Sequence, residues 1–343
     1  MGKIIKIFLN RGFTPINQSV FKLGTIIDFN CYIKRFNGFV ILIEKGTRLD
    51  EKIHQKITNS TLQIYVENKS YKKYKNYILQ NDNPKEIVST QAKNLNLDDE
   101  IEQCKNIQKM LLTKPSANEK LKMIYTNGKN LLDAWILKKE EKFIPLEALD
   151  ILVESLVEIV NKESVTLSHF NDFLDETYSL AAHLVKVSFF TAIVASDIGL
   201  DLSDQKHVSL AAILHDVGKS DLDESLLDKP DLLTEAEYKL IKEHSEASVK
   251  LAKRSGLKDR KILNAIREHH ERLDGSGYPC ALTVKRIGQF GKILAVCDVF
   301  DALITEKPYR GAYNTFNASS LLRDEYKNKL DSNYIHILIK NLK

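Results

Sequence analysis

Hydrophobic and polar positions follow two different patterns along the 343 residues of the chain. Up to about residue 80, β-branched and aromatic residues come in short runs, as in "CYIKRFNGFVILI" and "TLQIYVEN", which is typical of strands. Asn37-Gly38, between two of these runs, predicts a hairpin turn. From about Ile101 the apolar residues recur every three or four positions, as in "LEALDILVESLVEIV", which predicts core-facing helices.

Two segments refine this division. The stretch "YKKYKNYILQ" interleaves Tyr and Lys, which favours an amphipathic helix over a nucleic-acid surface built on aromatic stacking. A capping box begins at Thr234, and the helix that it opens is expected to run to near Gly256. We therefore predict an α+β chain with a β-rich regulatory module at 1–83, a linker and helical connector at 84–115, and an all-helical domain at 116–343.

Composition narrows the class of protein without indicating an activity. The chain is 43% hydrophobic and 28% charged, as globular proteins are, and its net charge of +4 is too small to indicate nucleic-acid binding. The four cysteines form no CxxC pair, which argues against a zinc knuckle and a disulfide scaffold. No segment resembles a signal peptide or a membrane helix. We expect a soluble cytoplasmic protein that binds neither a nucleic-acid polymer nor a membrane.

The helical part contains an unusual set of residues of the types that bind metal ions. Several lie in apolar segments, where an ionised carboxylate is costly to bury unless it is paired or bound to metal. A single histidine of this kind is more often a packing residue, but so many on five helical segments are hard to explain by packing. Imidazole and carboxylate together suit Fe, Mn, Zn or Ni. The set consists of His183, His215, Asp216, His244, His269, His270 and Asp298.

Adjacent pairs within this set suggest more than one ion. Neighbouring residues on a regular helix do not share a face, so His269 and His270 are expected to address different ions, or one to bind while the other supports it. A carboxylate such as Asp216 can bridge two cations, and a two-metal centre suits in-line phosphoryl displacement. The cations placed to contact substrate phosphates are Lys219, Lys307 and Arg310.

The segment from about Asp172 to Arg310 resembles the HD-GYP domain, a branch of the HD phosphohydrolases. The matching motifs are His183, "HDVGK" from His215, His244, "HHERLDGSGYP" from His269, and "DVFDALITEKPYR" from Asp298. The resemblance implies an all-helical enzyme that hydrolyses cyclic di-GMP to pGpG or GMP with a di- or trinuclear iron or manganese centre. It makes all seven residues above metal ligands and Asp216 and Lys219 catalytic. The residues that it places in contact with substrate are Lys219, Lys307, Arg310 and Tyr278.

The resemblance also carries expectations about partners and the number of metals. The loop Gly277-Tyr278-Pro279 implies contact with diguanylate cyclase (GGDEF) proteins, and homodimer formation is left open. Ser179 stands where trinuclear members carry a glutamate, which favours two metal ions over three. The glycines usual after the loop are replaced by Cys280, Ala281 and Thr283, so the lip of the site or a partner contact is expected to differ.

The leading interpretation is a metal-dependent cyclic di-GMP phosphodiesterase. A catalytically weak cyclic di-GMP receptor is a first alternative, and the retention of all seven ligand residues argues against it. A phosphohydrolase for another cyclic dinucleotide, or for a nucleotide monoester, is a second alternative. The ligand set leaves that alternative open because it recognises phosphate and not base.

Overall fold

The protein combines a small antiparallel sheet with a larger helical part, so the predicted α+β class is confirmed. The computed structural model describes residues 13–16, 20–35, 38–58, 63–81, 95–114, 116–138, 143–163, 165–170, 179–223, 226, 233–306 and 311–342.

Four antiparallel strands form the sheet of the N-terminal module. They are β1 (Phe13–Ile16), β2 (Cys31–Arg35), β3 (Gly38–Ile43) and β4 (Ile64–Glu67). The spatial order is β1-β4-β2-β3. The two runs that flank the predicted hairpin turn pair with each other, from Cys31 opposite Ile43 to Arg35 opposite Gly38. Asn37 itself lies outside the described residues.

Alternation along β4 gives the sheet two different faces, because successive side chains of a strand point to opposite sides. Ile64 and Val66 are buried in a core that belongs to the module alone. Tyr65, between them, and Tyr32 of β2 are instead part of the core of the helical part. The sheet therefore packs against the helices through its aromatic face.

In the described residues of the module two α-helices accompany the sheet, and the sequence predicted only one of them. Helix α1 (Glu51–Thr58) begins after Asp50, whose carboxylate accepts the backbone N–H of Ile53 at 2.8 Å. This N-cap was the local signal for the missed helix. Helix α2 (Tyr71–Asn81) confirms the amphipathic interpretation. All three of its tyrosines are buried in the core of the module, so their rings are not available for stacking on bases.

The helical part has one continuous core, and it begins before residue 116. Leu97, Cys104 and Leu111, from the predicted connector, are buried in the same core as the later helices. The α-helices within the described residues are α3 (Leu97–Lys105), α4 (Ile107–Leu111), α5 (Ala117–Leu137), α6 (Leu146–Lys162), α7 (Leu180–Asp197), α8 (Leu202–Leu214), α9 (Glu235–Lys242), α10 (His244–Arg254), α11 (Arg260–Glu268), α12 (Gln289–Ile304), α13 (Thr315–Glu325) and α14 (Ser332–Lys340).

Helix α7 lies at the centre of this part and packs against α5, α6, α8 and α12. Among the described helices it is the one whose length and apolar composition would suffice to cross a membrane. Within the fold, however, 83% of that stretch is buried. Its apolar surface therefore faces other helices of the protein.

The predicted capping box is confirmed, but the helix that it opens is shorter than expected. Thr234 accepts the N–H of Glu237, and the Glu237 side chain accepts the N–H of Thr234. The expectation of one helix to near Gly256 is wrong, because α9 ends at Lys242 and α10 begins at His244. The side chain of His244 bonds the carbonyl at the end of α9, and this competes with regular helical bonding.

Candidate metal centre

All seven predicted ligand residues meet at one place inside the helical part. They come from α7, the ends of α8 and α11, the start of α10, and α12. Their side chains form two groups, and within each group the ligand atoms lie within 4.8 Å of one another. Six are buried and His270 is half-buried. The first group consists of Asp216, His244, His269 and His270, and the second of His183, His215 and Asp298.

Asp216 lies between the two groups, and each of its oxygens faces one of them. Oδ1 is 2.9 Å from Nε2 of His244 and 3.5 Å from Nε2 of His269. Oδ2 is 3.3 Å from Nε2 of His183 and 3.5 Å from Nε2 of His215. A carboxylate in this position can connect two cations.

The four central imidazoles have the tautomer that a metal ligand needs. Nδ1 of His215, His244 and His269 each faces a backbone carbonyl three residues earlier, so the hydrogen-bond network assigns the proton to Nδ1. Nδ1 of His183 donates to Oδ2 of Asp301 at 2.7 Å. With one proton on each ring, all four Nε2 atoms would carry a lone pair toward the interior. Support of this kind orients metal-binding histidines in proteins. Burial would lower the pKa of His183, but hydrogen bonds to the surrounding aspartates raise it to about 10, so metal binding at this residue displaces a proton.

The spacing of these lone pairs fits bound cations. Nε2 of His183 lies 3.2 Å from that of His215, and Nε2 of His244 lies 3.3 Å from that of His269. Oδ1 of Asp216 is buried and accepts no hydrogen bond, although His244 is adjacent. Electron-rich atoms repel at such distances, whereas two nitrogens bound at about 2.1 Å to one transition-metal ion lie about 3 Å apart. The donor set therefore fits a metal ion in each group.

The adjacent pairs reach the site together because they lie at helix ends. Helix α8 ends at Leu214 and α11 ends at Glu268, so each pair starts at the C-cap of its helix. The regular helical geometry that separates neighbouring side chains no longer applies there. The structure accordingly places the side chains of His269 and His270 in the same group of ligand residues.

Gly218 fixes the turn that follows Asp216. Its N–H donates to Oγ of Ser248 at 2.8 Å, and a Cβ at this position would lie 2.5 Å from the carbonyl oxygen of His244. Only glycine therefore allows the turn to pack against α10. This packing orients Asp216 and Lys219, whose Nζ donates to Oδ2 of Asp216.

Electrostatics keep the carboxylates and two of the histidines in their metal-binding forms. Burial alone would raise the pKa of both Asp216 and Asp298. Lys219 and the surrounding histidines hold the pKa of Asp216 well below the usual range, and the neighbouring histidines alone do the same for Asp298. Burial lowers the pKa of His269 to about 4, and burial together with the neighbouring histidines holds that of His270 well below its usual value. Ionised carboxylates and neutral imidazoles are the states that bind cations.

A buried polar network behind His183 was not predicted from the sequence. Asp301 is fully buried and pairs with Nζ of Lys186 at 3.0 Å, and Lys186 also donates to Thr305 at 2.7 Å. Burial would raise the pKa of Asp301, but Lys186 and His183 lower it to about 2. The spacing in the sequence could have indicated this network, because Lys186 lies three residues after His183 on α7 and Asp301 lies three residues after Asp298 on α12. Residues three apart lie on the same face of a helix.

Two glutamates hold the segments on either side of the histidine pair. Glu268 accepts the N–H of Gly288 at 2.7 Å, which fixes the start of α12. Glu271 is buried and accepts the N–H groups of Cys280 at 2.6 Å and Leu282 at 2.8 Å. His269 and His270 therefore have a fixed position relative to the start of α12 and to the loop that follows the two histidines. Neither glutamate was predicted from the sequence.

Tyr278 lies at the edge of the site. Its ring is 4.6 Å from the ring of His270 and 6.5 Å from that of Tyr238, and Nζ of Lys242 is 5.2 Å above it. Burial raises its pKa well above the usual range, so the phenol stays protonated and can donate a hydrogen bond. The predicted phosphate contacts Lys307 and Arg310 lie outside the described residues.

Ala281 adopts a φ of +52°, in the left-handed region that costs a residue with a Cβ about 1–2 kcal/mol. We predict that Ala281→Gly raises the free energy of unfolding by about 0.5–1 kcal/mol, after the greater chain entropy of glycine is subtracted. Urea denaturation measures this change. Ala236→Gly, on the exposed face of α9, is the control and should lower stability by up to about 1 kcal/mol. A less stable Ala281→Gly variant would mean that glycine is not preferred at this turn.

Comparison with known proteins supports the assignment of this centre. Residues 167–334 match the family model described as an HD domain. The chain is 33% identical over 212 residues to the cyclic di-GMP phosphodiesterase response regulator RpfG of Xanthomonas campestris, a match that covers 60% of this chain and 55% of that protein. It is 34% identical over 160 residues to the 3'3'-cGAMP-specific phosphodiesterase 1 of Vibrio cholerae, covering 46% and 37%. The chain thus spans about half or less of these relatives.

A solved structure has a similar overall fold. It is Bd1817, a HDG"Y"P protein from Bdellovibrio bacteriovorus, with a TM-score of 0.58 over 96% of this chain and 99% of that chain. At 18% identity this likeness concerns the fold alone. The seven converging residues and the Gly277-Tyr278-Pro279 loop all fall within the segment that matches the HD domain. Together with the relatives, these observations show that residues 167–334 form an HD domain of the HD-GYP type.

Proposed function

We propose that this protein is a metal-dependent phosphodiesterase that hydrolyses cyclic di-GMP to pGpG, to GMP, or to both. The observation that carries the proposal is the position of Asp216 between two adjoining groups of inward-facing imidazole and carboxylate ligands. The names of relatives such as RpfG support the choice of substrate. HD domain phosphohydrolases depend on metal ions, and the donor set here agrees with that dependence.

We propose two metal ions, iron or manganese, with His183, His215 and Asp298 on one, His244, His269 and His270 on the other, and Asp216 shared. Imidazole and carboxylate ligands suit both metals. Ser179, at the position of the glutamate of trinuclear members, caps α7 by accepting the N–H of Ala182 at 3.1 Å. Its hydroxyl thus has a structural use, which supports two ions over three.

In this proposal the metal ions would activate a water molecule and stabilise the charge that develops on the phosphodiester. Asp216 holds the two halves of the centre in register. Lys219, at the partly exposed edge, binds a non-bridging oxygen of the phosphate and offsets its negative charge. Tyr278, at the edge of the site beside His270, contacts the substrate and donates a hydrogen bond from its phenol.

The second phosphate of cyclic di-GMP requires cations from the protein, and we assign this role to Lys307 and Arg310. Arginine grips a phosphate with two parallel hydrogen bonds, whereas lysine acts as a point charge. We predict that Arg310→Ala weakens binding and turnover of cyclic di-GMP by about 1.5–3 kcal/mol, and that Lys307→Ala costs less. Both variants should retain metal and hydrolyse a small phosphodiester with one phosphate almost as before.

Paired kinetics on cyclic di-GMP and bis(p-nitrophenyl) phosphate test this assignment. Arg323→Ala, on an exposed arginine of α13, is the matched control and should leave both rates unchanged. If Arg310→Ala slowed both substrates equally, the residue would serve the metal site or the fold. The assignment to the second phosphate would then be wrong.

Another cyclic dinucleotide is the second candidate substrate. Three relatives from Vibrio cholerae carry the name 3'3'-cGAMP-specific phosphodiesterase, and their identity to this chain is similar to that of RpfG. A purified, metal-loaded sample should be incubated with cyclic di-GMP, 3'3'-cGAMP and cyclic di-AMP, and the products identified. We expect the highest kcat/KM on cyclic di-GMP. A higher kcat/KM on 3'3'-cGAMP would mean that 3'3'-cGAMP is the substrate. Binding without cleavage would indicate a receptor.

We also propose that residues 1–83 regulate a catalytic domain at 116–343, with 84–115 as connector, in a cytoplasmic protein. The aromatic face of the sheet, which packs on the helical core, supports communication between the two parts. Pro279 and Cys280 are exposed, which supports the loop Gly277-Tyr278-Pro279 as a contact for diguanylate cyclase (GGDEF) proteins. Homodimer formation stays a prediction from family resemblance.

A further inference from the structure

One buried glutamine connects the N-terminal sheet to the segment that precedes α13. Gln63 lies just before β4 and is 8% exposed. Its Oε1 accepts the N–H of Asn314 at 2.6 Å, and its Nε2 lies 3.5 Å from the carbonyl oxygen of Ala312. The same Nε2 donates to the carbonyl of Ile16 in β1 at 3.1 Å. A single carboxamide therefore holds two backbone segments that are far apart in sequence.

The surrounding backbone fixes the orientation of this carboxamide. A glutamine amide offers two N–H donors on one side and an accepting oxygen on the other. The N–H of Asn314 can only donate, whereas the carbonyls of Ile16 and Ala312 can only accept. If the amide were rotated by 180°, its NH₂ group would face the N–H of Asn314, and its oxygen would face the carbonyl oxygens of Ile16 and Ala312. The contact thus has one satisfied arrangement, as a specific clamp requires.

The clamped segment follows the proposed phosphate contacts directly along the chain. Residues 311–314 come immediately after Arg310. Within this segment Tyr313 donates its N–H to the carbonyl of Leu303 at 3.0 Å, and Asn314 caps α13. Before the phosphate contacts, Thr305 is anchored to the helical part through Lys186. The helical part therefore holds Thr305, before the proposed phosphate contacts, and the N-terminal sheet helps to hold residues 312–314 after them.

We infer that Gln63 is a positioning residue through which the N-terminal module sets the affinity for the substrate phosphates. The inference rests on the proposed function, in which Lys307 and Arg310 hold the second phosphate. Displacing a binding group by about 1 Å is enough to weaken a productive interaction strongly. Gln63 contacts none of the seven ligand residues in the described structure. Its effect should therefore fall on substrate binding and spare the metal centre.

Enzyme kinetics on the full chain test this role. Gln63→Met keeps the volume of the side chain but removes the clamp, Gln63→Ala removes both, and Gln55→Ala on the exposed face of α1 is the matched control. We expect the KM for cyclic di-GMP to rise about 5- to 30-fold in both Gln63 variants, the factor for one or two lost hydrogen bonds. The kcat, the bound metal and the hydrolysis of bis(p-nitrophenyl) phosphate should stay as in the wild type.

Amide hydrogen exchange without substrate tests the clamp independently of activity. Exchange of residues 312–314 should be faster in Gln63→Met than in the wild type and unchanged in Gln55→Ala. Faster exchange with an unchanged KM would overturn the positioning role, and unchanged exchange would overturn the clamp. Loss of the fold in both Gln63 variants would overturn the proposal too, because the residue would then be purely structural. A wild type inactive on every cyclic dinucleotide would reject the proposed function and the KM effect, while exchange would still decide on the clamp.

Discussion

Asp216→Ala should reduce the hydrolysis of cyclic di-GMP by about 10³-fold or more and lower the bound metal to less than half. One oxygen of this carboxylate faces each group of ligands, so its removal would take a ligand from both groups at once. Loss of several kcal/mol of charge stabilisation in the transition state corresponds to a rate effect of this size. Elemental analysis and steady-state kinetics on the same sample provide the measurement.

The helical fold should survive this substitution, because the apolar core of the helices does not depend on Asp216. Asp197→Ala is the matched control, since Asp197 is an exposed carboxylate that pairs with Lys340 at 3.1 Å. Its rate and metal content should equal those of the wild type. An Asp216→Ala protein with full metal and wild-type turnover would contradict the bridging position that we assign to this residue.

Lys186→Met should lower the free energy of unfolding by about 3–5 kcal/mol, because it leaves the fully buried carboxylate of Asp301 without its cation. The same change should weaken metal binding about 10- to 100-fold, since Asp301 orients His183. Denaturant unfolding and metal titration measure the two effects separately.

Lys340→Met provides the comparison for this second prediction. Lys340 forms an ion pair at a similar distance, but its side chain is 62% exposed, so water replaces much of the lost interaction. Its removal should cost at most about 1 kcal/mol and leave metal affinity unchanged. If both lysine variants lost the same stability, the buried pair would be no more important than a surface pair. A stability loss without a change in metal affinity would limit Lys186 to a structural role.

Local patterns in the sequence were sufficient for the class of fold and for the composition of the site. The spacing of apolar residues distinguished the strands from the helices. Histidines and aspartates within apolar segments were the seven side chains that meet in the structure. Spacing also contained the signal for Lys186 and Asp301, because each lies one helical turn from a predicted ligand. Charged residues at such spacing are common on exposed helix faces, and only burial in the fold distinguishes a buried network from a surface pair.

Other features depend on contacts between distant parts of the chain, which a local pattern does not contain. At the break between α9 and α10, the side chain of His244 contacts the carbonyl of Ile241 on one side and Asp216 on the other, and Asp216 is 28 positions away in sequence. Glu268 and Glu271 acquire their roles only when α12 and the following loop fold back against them. Gln63 meets Asn314 across 251 positions of sequence, and nothing in the neighbourhood of either residue indicates the other.

A titration of metal-free protein with Fe²⁺ or Mn²⁺ under anaerobic conditions tests the central claim most directly. Bound metal and the initial rate of cyclic di-GMP hydrolysis are measured at each addition. The account predicts that hydrolysis requires metal, rises steeply as the second ion binds, and reaches its maximum at two ions per chain. Full hydrolysis by the metal-free protein, or no hydrolysis at two bound ions per chain, would contradict a two-metal phosphodiesterase centred on Asp216.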